Sequence, residues 1–105
     1  MIDSVSNIAL KLLIVFSLVM PSLGVAKDIN QDDAIALRQQ GVILPLEQIL
    51  QAAQRLRPGR VIKVELEKKR DLYIYEVEIA DNKGQVWEMK FNASDATLLS
   101  QERED

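Results

Sequence analysis

The chain reads as a small α+β protein: an amphipathic helix packed on one face of a three-stranded antiparallel meander (α-β-β-β), preceded by a short helix. Two observations predict this. Between Gly59 and Leu99, three consecutive segments alternate apolar with charged residues at a period of two. Just upstream, Pro45–Arg57 carries its apolar residues at helical spacing. An antiparallel sheet with one apolar and one charged face needs a single covering partner, and the helix supplies it.

Residues 1–26 read as a secretory signal peptide, cleaved after Ala26. Lys11 and the terminal amine give a weakly basic start, offset in part by Asp3, and Leu12–Met20 is an unbroken apolar run. The breaker Pro21 follows, then Gly24-Val25-Ala26 with small residues at −3 and −1. A membrane anchor normally needs about 20 apolar residues, and this run is much shorter. Cleavage would leave no stable membrane insertion and place the product in a periplasm or outside the cell.

Residues 27–42 are expected to form a short helix and connector. Asn30 suits an N-cap, Asp32 and Asp33 suit the first turn, and Gly41 is a natural stop. Val42-Ile43-Leu44 then crosses the edge of the core, and Pro45 opens the main helix where its missing N–H matters least. Leu46, Ile49, Leu50, Ala53 and Leu56 make one stripe, with Gln48, Gln51, Gln54 and Arg55 on the wet side. Pro58-Gly59 ends the helix.

In the first strand Ile62, Val64 and Leu66 share a face opposite Lys63, Glu65 and Glu67. In the second, Tyr73, Tyr75, Val77 and Ile79 oppose Glu76 and Glu78; in the third, Trp87, Met89 and Phe91 oppose Glu88 and Lys90. Asp81-Asn82-Lys83-Gly84 reads as a turn with Gly84 left-handed, which sets Ile79 against Trp87 and Glu76 against Lys90. A symmetric first hairpin through Lys68–Asp71 would align Lys63, Glu76 and Lys90 across the sheet, with alternating sign. Residues 100–105 read as a disordered acidic tail.

The net charge is −3, and acids and bases interleave along the strands. Lys68-Lys69-Arg70 is the longest basic run, far short of a nucleic-acid footprint. With no Cys and no His, the chain has no disulfide, no thiol nucleophile, no Ser-His-Asp triad and no ordinary zinc site. The absence of bridges fits a bacterial periplasm better than a eukaryotic secretome. Glu65, Glu67, Glu76, Glu78 and Glu88 fall on the open face of a sheet, where nothing is expected to raise a carboxyl pKa, so acid–base catalysis is not expected. Asp81-Asn82-Lys83-Gly84 places a lysine where a calcium loop wants an acid. No cofactor and no metal are implied.

The segment GRVIKVELEKKRDLYIYEVEIADNKGQVWEMKFNASDATLL closely resembles the PepSY domain of peptidase propeptides and of a spore-germination membrane protein. The pattern is a helix, then Gly59–Glu67, Tyr73–Val77 and the Gly84–Met89 strand, in the family's order over residues 43–99. The preceding DDAIALRQQGVILPLEQILQAA is similar to the lead-in of short, stand-alone exported members from proteobacteria. One departure stands out: where the family ends in aspartate-x-x-threonine-glycine, this chain has Ala96 in place of the turn glycine, which would re-route the last hairpin. The resemblance implies a non-enzymatic module that binds a protein partner outside the cytoplasm, restraining a peptidase in the sharpest form. The alternative is a periplasmic sensor or ligand-binding accessory subunit of a membrane signalling system.

A three-stranded meander leaves two open edges, Arg60–Glu67 and Val86–Asn92, and apolar Val61, Leu72, Ile74 and Val86 on its charged face. Together with Lys63 and Glu88 these are the candidate partner-binding residues. Ile74 or Leu72 would anchor an added strand from a partner or from a second copy of the chain, in a homodimer joined by strand edge or outer face.

Overall fold

The computed structural model describes residues 26–104, so the expected signal peptide lies outside the described residues except for Ala26. The elements run β1 (Lys27–Asp28), α1 (Gln31–Gln39), α2 (Leu46–Leu56), β2 (Arg60–Lys69), β3 (Leu72–Ala80), β4 (Val86–Asn92) and β5 (Leu98–Glu104). All strands are antiparallel in one five-stranded sheet of order β1-β2-β3-β4-β5. The expected three-stranded meander is therefore corrected to five strands with two helices. The physical reason is that both added strands lie at the rim. β1 has only two residues, and Leu98 alone of β5 is even half-buried. Edge strands are held by ladder hydrogen bonds, which leave no hydrophobic period in a sequence. The expected disordered tail is corrected with them, since Ser100–Glu104 is strand paired to β4.

Local chemistry explains the helices. The Asn30 side chain accepts from the Asp33 N–H at 2.8 Å and caps α1, and Gly41 takes a φ of +75° after its end. Pro45 precedes α2 with extended backbone, and the Arg57 N–H donates to the Ala53 carbonyl at its close. Ile49 and Ala53 are fully buried against Tyr75, Val77, Ile79, Met89 and Phe91, with Ala34 of α1 and Ile43 of the connector in the same cluster. Leu46 and Leu50 flank it half-buried, whereas Leu56 is 49% exposed and leaves the expected stripe. Near the end of α2, the Gln54 amide closes a two-bond ring on Gly59, donating to its carbonyl at 2.8 Å and accepting from its N–H at 3.1 Å.

Two features change the expected register. The β2–β3 turn is tighter than a four-residue loop, with Lys69 opposite Leu72 and Arg70 at a φ of +58°. A bulge between Val61 and Lys63 then swaps the phase of β2. Val61 turns in against the core, and Ile62 turns out, 44% exposed. The tighter turn sets Lys63 opposite Glu78 rather than Glu76, and Glu65 takes the place opposite Glu76. The β3–β4 hairpin closes as expected, with Ile79 opposite Trp87, Glu76 opposite Lys90 and Gly84 at a φ of +77°. Ala96 keeps the left-handed conformation of a turn glycine, at a φ of +64°, so the last hairpin is not re-routed. Among the described residues no helix is long and apolar enough to cross a membrane.

Candidate partner-binding surface

β2 is the long strand with a free edge. β1 pairs only with its Glu67 and Lys68, extended by the Ile29 N–H donating to the Leu66 carbonyl at 2.9 Å. Among the described residues Arg60–Glu65 therefore has no neighbour on that side, and the bulge at Ile62 together with Lys63 blunts indiscriminate pairing there. Beside it, under α1, opens a groove of about 430 Å³ whose walls include Ile29, Arg38, Leu46, Val64, Leu66 and Tyr75. The Arg38 guanidinium donates to the Tyr75 hydroxyl at 3.5 Å on its floor. The second expected edge, Val86–Asn92, is covered by β5.

The candidate residues separate accordingly. Val61 belongs to the inner face and leaves the set. Lys63 stands exposed on the outer face of β2, forming an ion pair with Glu65 at 3.3 Å. That contact, foremost its hydrogen bond, holds the Lys63 ammonium above the usual lysine range. Leu72 and Val86 are half-buried, at positions opposite Lys69 and Glu104. Ile74 is 7% exposed, flanked by Glu67 and Asn92 on the neighbouring strands, so it is no protruding anchor. Central strands shield their outer side chains from both sides, which alternation alone does not reveal. Glu88 lies opposite Glu78 on one side and Glu102 on the other.

The observed register assembles like charges. Glu65 faces Glu76, Glu78 faces Glu88, and Glu88 faces Glu102. Carboxylate oxygens of Glu78, Glu88 and Glu104 come within 4.8 Å of one another. Burial above all pushes the Glu76 carboxyl up to about 7, helped by a hydrogen bond to Glu67 and the charges of Glu88 and Glu67, against the pull of Lys90. Glu104 is also pushed up to about 7, first by its hydrogen bond to Glu78, then by desolvation and by Glu88. The expectation that nothing on this face raises a carboxyl pKa is thus corrected. It failed because the register, not the alternation, decides which charges become neighbours. The three clustered carboxylates are the group on this face able to approach a cation together, although calcium prefers six to eight oxygens.

On the inner face at the same end of the sheet, the Arg57 guanidinium stacks 3.4 Å above the Trp87 ring. It also donates to the Gln101 side-chain oxygen at 2.6 Å. The Trp87 indole N–H donates to Asp81 at 3.1 Å. Asp81 is held below the usual carboxyl range, chiefly by the Gln85 N–H and then by the indole and the Lys83 N–H. This node joins α2, the β3–β4 turn and β5, and sequence reading missed it because its partners are scattered from Arg57 to Gln101.

The family model of the peptidase propeptide and YPEB domain, PepSY, matches residues 43–102. The chain belongs to the PepSY family. The match reaches into β5 and stops short of α1 and β1. No curated protein and no solved structure matches the chain. PepSY domains serve in peptidase propeptides and as regulatory modules.

Proposed function

We propose that this protein is a non-enzymatic PepSY module that binds a protein partner outside the cytoplasm, with restraint of a peptidase as the sharpest form. The observation that carries this reading is the free edge of β2 lying beside a groove of mixed apolar and charged walls in a family of peptidase propeptides. A partner strand laid along Arg60–Glu65 gains main-chain hydrogen bonds, and a side chain of that strand can enter the groove under α1. A propeptide-like module acts by occupying, not by reacting, and neither Cys nor His is present for covalent or imidazole chemistry. On the outer face Lys63, Leu72, Val86 and Glu88 supply secondary contacts, and a second copy of the chain competes for the same edge.

The test uses the full chain as bait in an extract of the envelope, beside Ile62→Lys, which places a charge on the free edge at an exposed position. The reading predicts a peptidase retained by the native chain and lost with the variant, whose turnover slows on stoichiometric addition of the chain. Retention of the same proteins by both baits, or no slowing, contradicts it. The sensor reading draws on Glu76 and Glu104, whose carboxyls titrate near neutrality; capture of a membrane signalling protein in place of a peptidase would favour it.

A further inference from the structure

We propose that β5 is a proton-controlled latch over the edge of β4: while Glu104 is protonated beside Glu78 and Glu88 the strand stays paired, and its ionisation frees Ser100–Glu104 and opens β4 to strand addition. This builds on the edge-binding reading, but its test reads the latch itself, so its failure leaves the β2 edge unaffected.

Three observations carry it. First, β5 has one neighbour, and every residue from Leu99 to Glu104 is exposed. Beyond its ladder, its side chains bond through Gln101 to Arg57 and through Glu104 to Glu78. Such a segment lies at the low-stability end of a fold and opens before the core does. Second, the outer side chains of β5 meet charges of their own sign. Glu102 stands opposite Glu88, and Glu104 joins Glu78 and Glu88 within 4.8 Å. Third, β5 leaves the sheet through a turn in which Ala96 is left-handed, a conformation unfavourable for alanine and relieved when the strand swings away.

The remaining charges on the outer face do not cancel the repulsion. From β2 the face receives Arg60, Lys63, Glu65, Glu67 and, at its far end opposite Leu72, Lys69; from β3, Glu76 and Glu78; from β4, Glu88 and Lys90. Lys63 is bound to Glu65 at 3.3 Å, and Lys90 reaches Glu88 at 4.0 Å. Arg60 sits opposite Ala80, with β3 and β4 between it and Glu104. Both described helices pack on the inner face, where Ala34, Ile49 and Ala53 join one cluster, so neither supplies a cation outside.

The sign follows from linkage. The docked Glu104 carboxyl titrates at about 7, above its ordinary 4.5. Docked β5 therefore holds protons that a free strand releases across that interval. Pairing is strongest at and below the ordinary value and weakens as pH rises through about 7.

The full chain, isotopically labelled, is followed by NMR between about pH 4 and about pH 8, a window spanning free and docked carboxyl titration. The latch predicts cross-strand contacts of Glu88 with Glu102 and of Lys90 with Ser100 at the acid end. These should fall at least about twofold at the alkaline end while contacts between β3 and α2 stay constant. The double variant Glu102→Gln/Glu104→Gln should keep β5 paired throughout. Constant β4–β5 contacts across the native titration would overturn the proposal, as would an unchanged pH response in the glutamine variant. The native titration decides alone if the variant does not fold.

Discussion

Gly59→Ala is a sharp test of how α2 meets the sheet. A Cβ at this position would lie 2.3 Å from the Ala80 carbonyl oxygen and 2.7 Å from Ile79 Cγ2. The oxygen belongs to the backbone of the central strand and the methyl to a fully buried side chain, so neither yields cheaply. Relief requires Gly59 to move, and moving it strains both hydrogen bonds from Gln54. Overpacking costs about 1–3 kcal/mol, and each weakened bond adds about 0.5–1.5 kcal/mol. Alanine recovers about 0.4–1 kcal/mol by restricting the unfolded chain. The expected net loss is about 3 kcal/mol. Urea unfolding followed by Trp87 fluorescence reads it as a midpoint lowered by about 1.5–3 M, for slopes near 1–2 kcal/mol per M. A change below about 0.5 kcal/mol, the usual surface range, would refute the close approach.

Ile49→Ala should destabilise by about 2–5 kcal/mol, and Leu50→Ala by clearly less, because Ile49 is fully buried and Leu50 is not; paired denaturation curves rank them. Ile74→Lys should lower stability by about 1–2 kcal/mol, part of the burial of an isoleucine, since the lysine stem can still lie along the face; an unchanged melting curve would put Ile74 at the surface. Arg70→Gly should stabilise by up to about 1 kcal/mol, because an exposed arginine holds a φ of +58° there; thermal melts measure it. Arg57→Ala should blue- or red-shift Trp87 emission and loosen β5, because one side chain both stacks on the indole and binds Gln101; unchanged emission would dismiss the stack.

The parts of this fold that bury a periodic face were legible. Asn30, Gly41, Pro45 and Gly84 marked the helix and turn boundaries, and the alternation in β3 and β4 fixed their inner faces. What stayed hidden depends on pairing. β1 and β5 bury almost nothing, so their polar composition resembles a linker and a tail. The bulge at Ile62 follows another apolar residue, Val61, and either of the two could be read as the inward one. That step misplaced Val61 on the outer face, while the shorter β2–β3 turn moved Lys63 from Glu76 to Glu78. The carboxylate cluster was unreadable for the same reason: Glu104 meets Glu78 and Glu88 only once β5 is known to exist. The Gln54 clamp looked like part of a wet helix face because its partner is backbone, which carries no side-chain signature.

The account rests most directly on the free edge of β2. Amide hydrogen exchange of the chain, alone and bound to the partner it retains, measures that edge. Strand addition predicts slowed exchange across Arg60–Glu65, with β3 amides, already in the ladder on both sides, nearly unchanged. Protection confined to another surface, with Arg60–Glu65 exchanging as fast in the complex as in the free chain, would contradict it.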